Sequence, residues 1–410
     1  MKLSLFIAFV LFAQVAAARV IIVGSGQPVS SLAGAVKMAG NGDTIFLKKG
    51  IYREGNILLT RPVTILGEAN AILDGQHKTE LLTISGKNIS VKNLVLQNAG
   101  YSALNDFAAI KVIDATAVLI EQNIILNAYF AIHVSNSTYC TIRGNRIQGS
   151  PTTEQMTGNG IHLWKSNHAT IESNHVQGHR DGIYFEFVTE SEIRGNLSEK
   201  NIRYGLHFMF SHNDHYTGNT FRNNGAGVAV MFSKRVRMED NHFEQNWGAS
   251  AYGILLKEIS DSYITHNVFL KNTAGIYMEG SSRMEIQRNE FKYNGWALKV
   301  QASCDDNIFH HNNFHGNSFD VATNGTMMLN KFYNNYWDKY EGYDINKDGI
   351  GDIPYHPVSM YAMVVEQNPT TLMLMRSFVV SLMDKAEKAI PSLTPENLVD
   401  EKPLIKPNKL

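Results

Sequence analysis

The sequence predicts an all-β fold, a single-stranded right-handed parallel β-helix with an N-terminal helical cap and a C-terminal helical tail. Two phrases that repeat in step through the middle of the chain lead to this prediction. In the first, an Asn precedes an apolar residue by two positions, at successive spacings of 22, 29, 22, 23, 22, 26 and 22 residues. Its copies begin at Asn123, Asn145, Asn174, Asn196, Asn219, Asn241, Asn267 and Asn289, although Ser198 replaces one apolar partner. The second phrase is Gly followed by apolar, variable and apolar residues, with copies at Gly160, Gly182, Gly205, Gly227, Gly253 and Gly275.

Each phrase has the alternation of a short β-strand. Apolar and variable positions alternate with period two between Gly, Asn and Ser residues that favour turns. A fixed period of about 22 residues suits a coil with two or three strands per turn, which buries its inner face only by stacking on its neighbours. The recurring Asn residues are expected to form ladders whose amides pair between coils. A leucine-rich repeat would need regular Leu and a helix in each unit, and the sequence has neither.

The ends of the coil require covers, because an open coil exposes unpaired backbone groups. Residues 29–39 have small and apolar residues at helical spacing and predict the N-terminal cap. The repeat stops after Trp337. We therefore predict a signal peptide over 1–18, the capped β-helix over 19–340, an Asp/Gly-rich closing loop over 341–359, and a Met-rich helical segment and tail over 360–410.

The first residues have the composition of a secretory signal. Lys2 is followed by an apolar stretch from Leu3 to Ala13 and by the small residues Ala16 to Ala18, a pattern typical of a cleaved signal peptide. This stretch is shorter than the roughly 20 residues that span a bilayer. The mature chain would then begin near Arg19, outside the cytoplasm.

Charge and cysteine content exclude other classes. The formal net charge is −1 at pH 7, which lacks the basic excess of nucleic-acid-binding proteins. Two cysteines are too few for a disulfide framework. Cys140 and Cys304 lie about seven coils apart in the predicted stack, so we expect free thiols.

Strand alternation assigns the variable positions of the Gly-led phrase to the outer face of the coil. His207, Met209 and Met231 are then expected to converge on one outer patch, near Tyr184. Imidazole with thioether sulfur is a soft ligand set, which predicts a Cu(I) site. Packing of an adaptable Met pair beneath the tail or a partner is the alternative. The same alternation predicts an inward hydrophobic spine, formed by Phe185, Phe208, Phe210 and Phe232.

Two further segments contain potential metal ligands. Residues 344–352 match the first nine positions of an EF-hand-type loop, and the predicted calcium ligands are Asp344, Asn346, Asp348 and Asp352. Position 12 is Tyr355 instead of Glu, so the loop is incomplete and its side chains could equally cap a tight turn. His310 and His311 are adjacent, and alternation would direct them to opposite faces.

The segment after the last repeat carries a family resemblance. Residues 334–338 (NNYWD), 342–344 (GYD) and 348–355 (DGIGDIPY), together with the repeats, resemble the NosD family of nitrous oxide reductase maturation proteins. The early residues 42–52 also resemble the first coil of pectin-lyase-like β-helices. The NosD resemblance extends from the signal peptide to about residue 390.

This resemblance implies a non-enzymatic periplasmic protein held at the inner membrane by an ABC transporter. The implied partners are the transporter permease with its cytoplasmic ATPase, a membrane-anchored copper chaperone and nitrous oxide reductase. The implied role is assembly of the copper–sulfide centre of that reductase. The family supplies no ligand positions for this chain, so the predicted copper ligands depend on strand alternation alone.

Residues 371–389 have apolar residues at helical spacing. Such a helix could pack on the end of the β-helix, or dock onto the transporter permease or the bilayer surface. The predicted docking residues are Leu372, Met375, Phe378, Val379, Leu382 and Met383.

A carbohydrate-binding or polysaccharide-cleaving β-helix is the rival class. Glycoside hydrolysis requires two carboxyl groups about 5 to 9 Å apart. The nearest acidic candidates are Asp305-Asp306 and Asp181 within Gly-His-Arg-Asp, but other parts of a polygalacturonase site are missing. Asp181, Glu186 and Trp164 could alternatively line a sugar-binding groove.

Overall fold

The computed structural model describes residues 18–101, 106–150, 153–154, 157–325, 329–390 and 398–410. The predicted signal peptide lies outside this range, apart from Ala18. Within the described residues, the chain winds into three parallel sheets of 14, 12 and 13 strands. Each strand pairs with the equivalent strands of the coils before and after it. The parallel β-helix prediction is confirmed, with three strands per complete coil.

The three sheets run along the whole coil. Sheet 1 comprises Val20–Val23, Thr44–Leu47, Thr64–Gly67, Ser90–Lys92, Leu119–Glu121, Thr141–Arg143, Thr170–Glu172, Glu192–Arg194, His215–Thr217, Arg237–Glu239, Tyr263–Thr265, Glu285–Gln287, Ile308–His310 and Lys331–Tyr333. Sheet 2 comprises Ile57–Leu59, Leu82–Ile84, Ala108–Ile113, Phe130–Ser135, Ile161–Trp164, Ile183–Glu186, Tyr204–Met209, Ala226–Met231, Tyr252–Lys257, Ala274–Glu279, Trp296–Val300 and Phe319–Ala322. Sheet 3 comprises Gly50–Tyr52, Ala71–Asp74, Val95–Gln97, Ile124–Leu126, Arg146–Gln148, His175–Gln177, Leu197–Glu199, Thr220–Arg222, His242–Glu244, Val268–Leu270, Glu290–Lys292, Asn313–His315 and Tyr336–Trp337.

The predicted asparagine ladder runs through the interior. Asn174 is typical, because its side-chain oxygen accepts both the backbone N–H and the side-chain amide of Asn145, each at 3.0 Å. Each rung therefore satisfies polar groups of the preceding coil, which would be costly to bury unpaired. The ladder contains Asn123, Asn145, Asn174, Asn196, Asn219, Asn241, Asn267, Asn289, Asn312 and Asn335.

A second ladder and an aromatic stack also run inside the coil. The second ladder contains Asn201, Asn224, Asn246, Asn272, Asn294 and Asn317. The rings of the stack are 4.0 to 5.5 Å apart, and its members are Phe221, Phe243, Phe269, Phe291, Phe314 and Trp337. These residues are the apolar partners of the repeated Asn phrase, which explains why the repeat is conspicuous in the sequence.

The predicted phenylalanine spine is half wrong. Phe185 and Phe208 are fully buried, as expected. Phe210 and Phe232 are instead 36% and 37% exposed and stack outside the coil with Phe187. The cause is that Phe210 and Phe232 follow the last residue of their strands with φ of +51° and +52°, so strand alternation ends before them.

Helices and the tail cover the ends. Helix α1 (Leu32–Met38) begins at Ser31, whose hydroxyl accepts the Gly34 N–H at 3.2 Å. At the other end, α2 (Met360–Gln367) packs on the last strand of sheet 2 through Tyr361, Ala362 and Val365. The extreme C-terminal residues return to the coil, where Leu404 bridges to Tyr336.

The predicted helix over 371–389 is interrupted. A 3-10 helix (Pro369–Leu374) and α3 (Phe378–Ala389) are separated by Arg376, which has a φ of +65°. Cys140 and Cys304 are free thiols, as expected, and both are buried.

Candidate metal site on sheet 2

Four rings form a column on the outer face of sheet 2, which we call the histidine–tyrosine column: His133, His162, Tyr184 and His207. Consecutive members are register partners on adjacent coils. Their ring centroids are 4.9, 4.7 and 4.8 Å apart in that order. These four positions face outward, as strand alternation predicted, and their side chains are in direct contact from coil to coil.

His207 lies on the outer side of the sheet but is only 4% exposed. Tyr204 packs against its ring at 4.8 Å, and Asp181 Oδ2 is 3.5 Å from its Nδ1. Asp181 is also within 3.7 Å of the Arg203 guanidinium. His207 therefore lies on the outer face, as alternation predicted, and neighbouring side chains on the same face cover it.

Met209 and Met231 are register partners on adjacent coils, as the repeat predicted, and both are partly exposed. The Tyr184 hydroxyl donates a hydrogen bond to Met209 Sδ at 3.6 Å. Burial, followed by the negative charges of Glu186 and Asp181, raises the pKa of Tyr184 to about 12. Tyr184 is therefore a neutral phenol at pH 7 and remains a hydrogen-bond donor.

Several imidazole nitrogens on this face are buried without a hydrogen-bond partner among the described residues. They include both nitrogens of His162 and both of His207. Burial holds the pKa of His162 well below its usual value, so its ring is neutral. Neutral imidazole and thioether donors fit a soft monovalent cation better than a hard divalent one. Clusters of three or more His, Cys, Asp and Glu that could hold a metal are absent from the described part of the chain.

The predicted calcium ligands adopt a tight turn. Asp344 accepts the backbone N–H groups of Asp348 and Gly349 at 3.1 and 2.9 Å. Asp352 accepts the Ile345 N–H at 2.6 Å, and Asn346 donates to Asp348 at 3.0 Å. These contacts match the turn-capping alternative, and calcium binding stays a prediction.

His310 and His311 do not point to opposite faces as expected. Their Nδ1 atoms are 2.8 Å apart, and His310 Nε2 is 3.2 Å from Glu285. His311 follows the end of its strand with a φ of +55°, which turns its side chain beside that of His310.

The C-terminal helices present an apolar surface, which we call the exposed strip: Leu372, Met373, Leu374, Phe378, Val379 and Leu382. These side chains are between 44% and 89% exposed. Two predicted docking residues, Met375 and Met383, instead pack against the cluster of Phe319, Tyr361 and Val365. In the described residues, no helix is long and apolar enough to cross a membrane.

The sequence is similar to those of known NosD proteins. A family profile described as "Periplasmic copper-binding protein (NosD)" matches residues 148–349. A protein of Pseudomonas aeruginosa named "Probable ABC transporter binding protein NosD" is 29% identical over 371 residues, or 86% of each chain. The protein of the same name from Stutzerimonas stutzeri is 27% identical over 377 residues, covering 88% of this chain and 86% of its own. The chain is similar to NosD proteins over most of its length.

The fold of this chain also occurs in carbohydrate-active enzymes. The catalytic domain of a GH87 α-1,3-glucanase superposes with a TM-score of 0.58 at 14% identity, covering 78% of this chain and 69% of the glucanase chain. At that identity the likeness establishes a common β-helical architecture. The similarity to NosD proteins depends on the sequence matches.

Proposed function

We propose that this protein is a NosD-type periplasmic copper-binding accessory protein of an ABC transporter. The observation that carries the proposal is the register pair of Met209 and Met231 beside the histidine–tyrosine column. The family description and the names of both relatives support the copper and transporter parts of the proposal. More specifically, we propose that the copper is used to assemble the copper centre of nitrous oxide reductase, and that a membrane-anchored chaperone donates the copper to this protein.

Copper enters this proposal as cargo. Met209 and Met231 lie on strands about 4.8 Å apart, so one Cu(I) ion could bind both thioethers. His207 is two residues before Met209 on the same face, about 6.6 Å along the strand, and supplies the third proposed ligand. Tyr184 hydrogen-bonds the Met209 sulfur, which fixes the thioether orientation before the ion arrives.

The protein environment favours reversible binding of this cargo. Thioethers are neutral, so no proton has to leave Met209 or Met231 when Cu(I) binds. Both side chains are partly exposed, which leaves them accessible to a donor protein. His207 lies deeper, and both its ring nitrogens are buried without a hydrogen bond to any described residue, so a metal would satisfy one of them.

The exposed strip is the proposed contact with the transporter. Six large apolar side chains within eleven residues form a surface that is usually covered by a partner. The names of both relatives mention an ABC transporter, which supports the transporter as the proposed partner. Lys299 and Glu366 form an ion pair of 2.8 Å that joins α2 to sheet 2. Met375 and Met383, beside the strip, pack on the cluster that contains Tyr361 of α2.

Anaerobic Cu(I) titration against a competing chelator tests the copper proposal. Met209→Ala with Met231→Ala should weaken Cu(I) binding at this site by at least about 100-fold, because losing even a residue that only hydrogen-bonds to a metal ligand costs about 10- to 100-fold. Met38→Ala with Met373→Ala is the matched control, since these methionines are 56% and 89% exposed and far from the column. Equal Cu(I) affinity in the two double variants would refute the site. In a separate assay, release of reducing sugar from polyuronides by the protein would favour a polysaccharide-cleaving enzyme.

A further inference from the structure

His133 and His162 form a separate pair at the start of the histidine–tyrosine column. They are register partners on adjacent coils, with ring centroids 4.9 Å apart. Phe130 packs against both imidazoles, at centroid distances of 5.4 and 5.2 Å. His133 and Phe130 are 6% and 5% exposed. His133 is therefore buried beside an apolar ring, and His162, which is partly exposed, packs against the same ring.

This pair contains unsatisfied donor and acceptor atoms. His133 Nδ1 and both ring nitrogens of His162 are buried and have no hydrogen-bond partner in the described ranges. An unpaired buried polar atom costs about 1–3 kcal/mol, so three such atoms side by side indicate a place where a ligand binds. Burial lowers the pKa of His133 to about 4 and that of His162 well below its usual value. Both rings are neutral at pH 7, the form that binds metals.

The surroundings of the histidine pair limit which metal ion could bind there. Lys111 is the register partner of His133 on the preceding coil, and its ammonium is bound to the Glu80 carboxylate at 3.0 Å. Two other charged groups affect the pKa values of the pair: the negative Asp106 acts on His133, and the positive Arg180 acts on His162. Zn(II) generally takes four protein or water ligands and Ca(II) six to eight oxygens. A d10 Cu(I) ion, by contrast, is stable with two neutral nitrogen donors.

We propose that His133 and His162 form a second Cu(I) site, with nitrogen ligands only, on the same face as the methionine pair. The proposal rests on the proposed function for the identity of the ion, but on different residues. His162 and His207 are two coils apart, about 10 Å at the coil spacing, and Tyr184 contacts both rings. The column and the methionine pair beside it thus provide two ion positions. One is accessible and rich in sulfur, and the other is largely buried and has imidazole ligands alone.

Counting Cu(I) equivalents anaerobically, together with X-ray absorption of the bound copper, tests this site. The unmodified protein should bind two equivalents, one with sulfur ligands and one with nitrogen ligands alone. His133→Ala with His162→Ala should remove the nitrogen-only equivalent and keep the sulfur-bound one. His242→Ala with His266→Ala is the matched control, because both histidines are exposed, and it should bind two equivalents.

The methionine variant separates this inference from the proposed function. Met209→Ala with Met231→Ala leaves the histidine pair unchanged, so its remaining copper should have nitrogen ligands only. That result supports the second site without requiring the histidine variant to fold. Two equivalents retained by the folded histidine variant, or no nitrogen-only copper in the methionine variant, would overturn the second site. Persistence of sulfur-bound copper in the methionine variant would contradict the proposed function instead.

Discussion

The Asn335 side-chain amide donates a 2.9 Å hydrogen bond to the Asp400 carboxylate, across 65 residues of sequence. Asp400 occupies the position of the next rung, so the internal asparagine ladder ends on a carboxylate from the C-terminal tail. The same Asp400 oxygen accepts the Asn335 backbone N–H at 3.2 Å and the Trp337 indole N–H at 3.0 Å. The tail therefore closes the end of the coil by continuing its hydrogen-bond pattern.

Replacement of Asp400 should open this end. Asp400→Ala leaves the Asn335 backbone N–H and the Trp337 indole N–H without this acceptor in a fully buried place, and we expect a loss of about 3 kcal/mol in unfolding free energy. Asp400→Asn keeps one acceptor and should cost about 1 kcal/mol. Guanidinium denaturation measures both, and hydrogen exchange should localise the damage to the last coils. Equal stability of the alanine variant and the unmodified protein would exclude a capping role for the tail.

Asp214 is a buried carboxyl at a position where an amide would fit better. One of its oxygens accepts the Ser191 N–H at 3.0 Å, and the other has no hydrogen bond among the described residues. Burial, helped by Glu190 and Glu192, raises the pKa of Asp214 well above its usual value. In the same register position, Asn307 instead donates to the Ser281 carbonyl at 2.9 Å.

We therefore expect Asp214→Asn to stabilise the protein at neutral pH. A raised folded-state pKa means that the folded form holds its proton more tightly, so the contribution of Asp214 is full below pH 3.8 and is lost as pH rises through the folded-state pKa. The amide should raise the unfolding free energy by about 1–2 kcal/mol at pH 7 and by less at pH 4. Asp240→Asn, at an exposed turn, is the control. If Asp214→Asn were less stable than the unmodified protein at pH 7, the explanation that an amide suits this buried position better would be contradicted.

Phe208 and Phe210 are two residues apart and should respond differently to substitution. Phe208 is fully buried inside the coil, so Phe208→Ala should cost about 3–5 kcal/mol. Phe210 is 36% exposed with a φ of +51°, a conformation that Asn adopts more easily than Phe. Phe210→Asn loses ring stacking but relieves this strain, so its stability should change by less than about 1 kcal/mol. Denaturation midpoints of the two variants measure both effects. Similar losses of stability would refute the placement of Phe208 inside the coil and Phe210 outside it.

Period and alternation were sufficient to predict the β-helix, the asparagine ladder and the register pair of Met209 and Met231. Both signals depend on regular extended backbone, which the 22-residue period preserves from coil to coil. They stopped being informative one residue beyond a strand. Phe210 and His311 both have positive φ, and no Gly marks either position in the sequence, so their directions were predicted wrongly.

Facing outward and being exposed also proved to be different properties. Alternation placed His207 on the outer side correctly, but Tyr204 and Asp181 cover it there. The histidine–tyrosine column could have been found from the repeat, because its members share one position in successive units. The contact between Asp400 and Asn335 could not, since it joins a segment without repeats to the final rung.

The C-terminal helices provide a test that separates docking from folding. Phe378 and Leu382 are 81% and 56% exposed, whereas Val380 is 8% exposed and packs in the cluster of Phe319 and Tyr361. Phe378→Ser with Leu382→Ser should change the unfolding free energy by no more than about 0.5 kcal/mol per site, while Val380→Ser should cost about 1–3 kcal/mol.

If the exposed strip docks on the transporter, the same exposed double variant should lose at least about tenfold in affinity for membranes containing the permease, since buried aromatic anchors contribute most of such binding. Immunoblotting for the permease after pull-down measures this loss. Deleting residues 370–410 would be a poorer test, because it also removes Asp400 and opens the coil. Normal permease capture by the folded double variant would show that the transporter binds elsewhere on the β-helix.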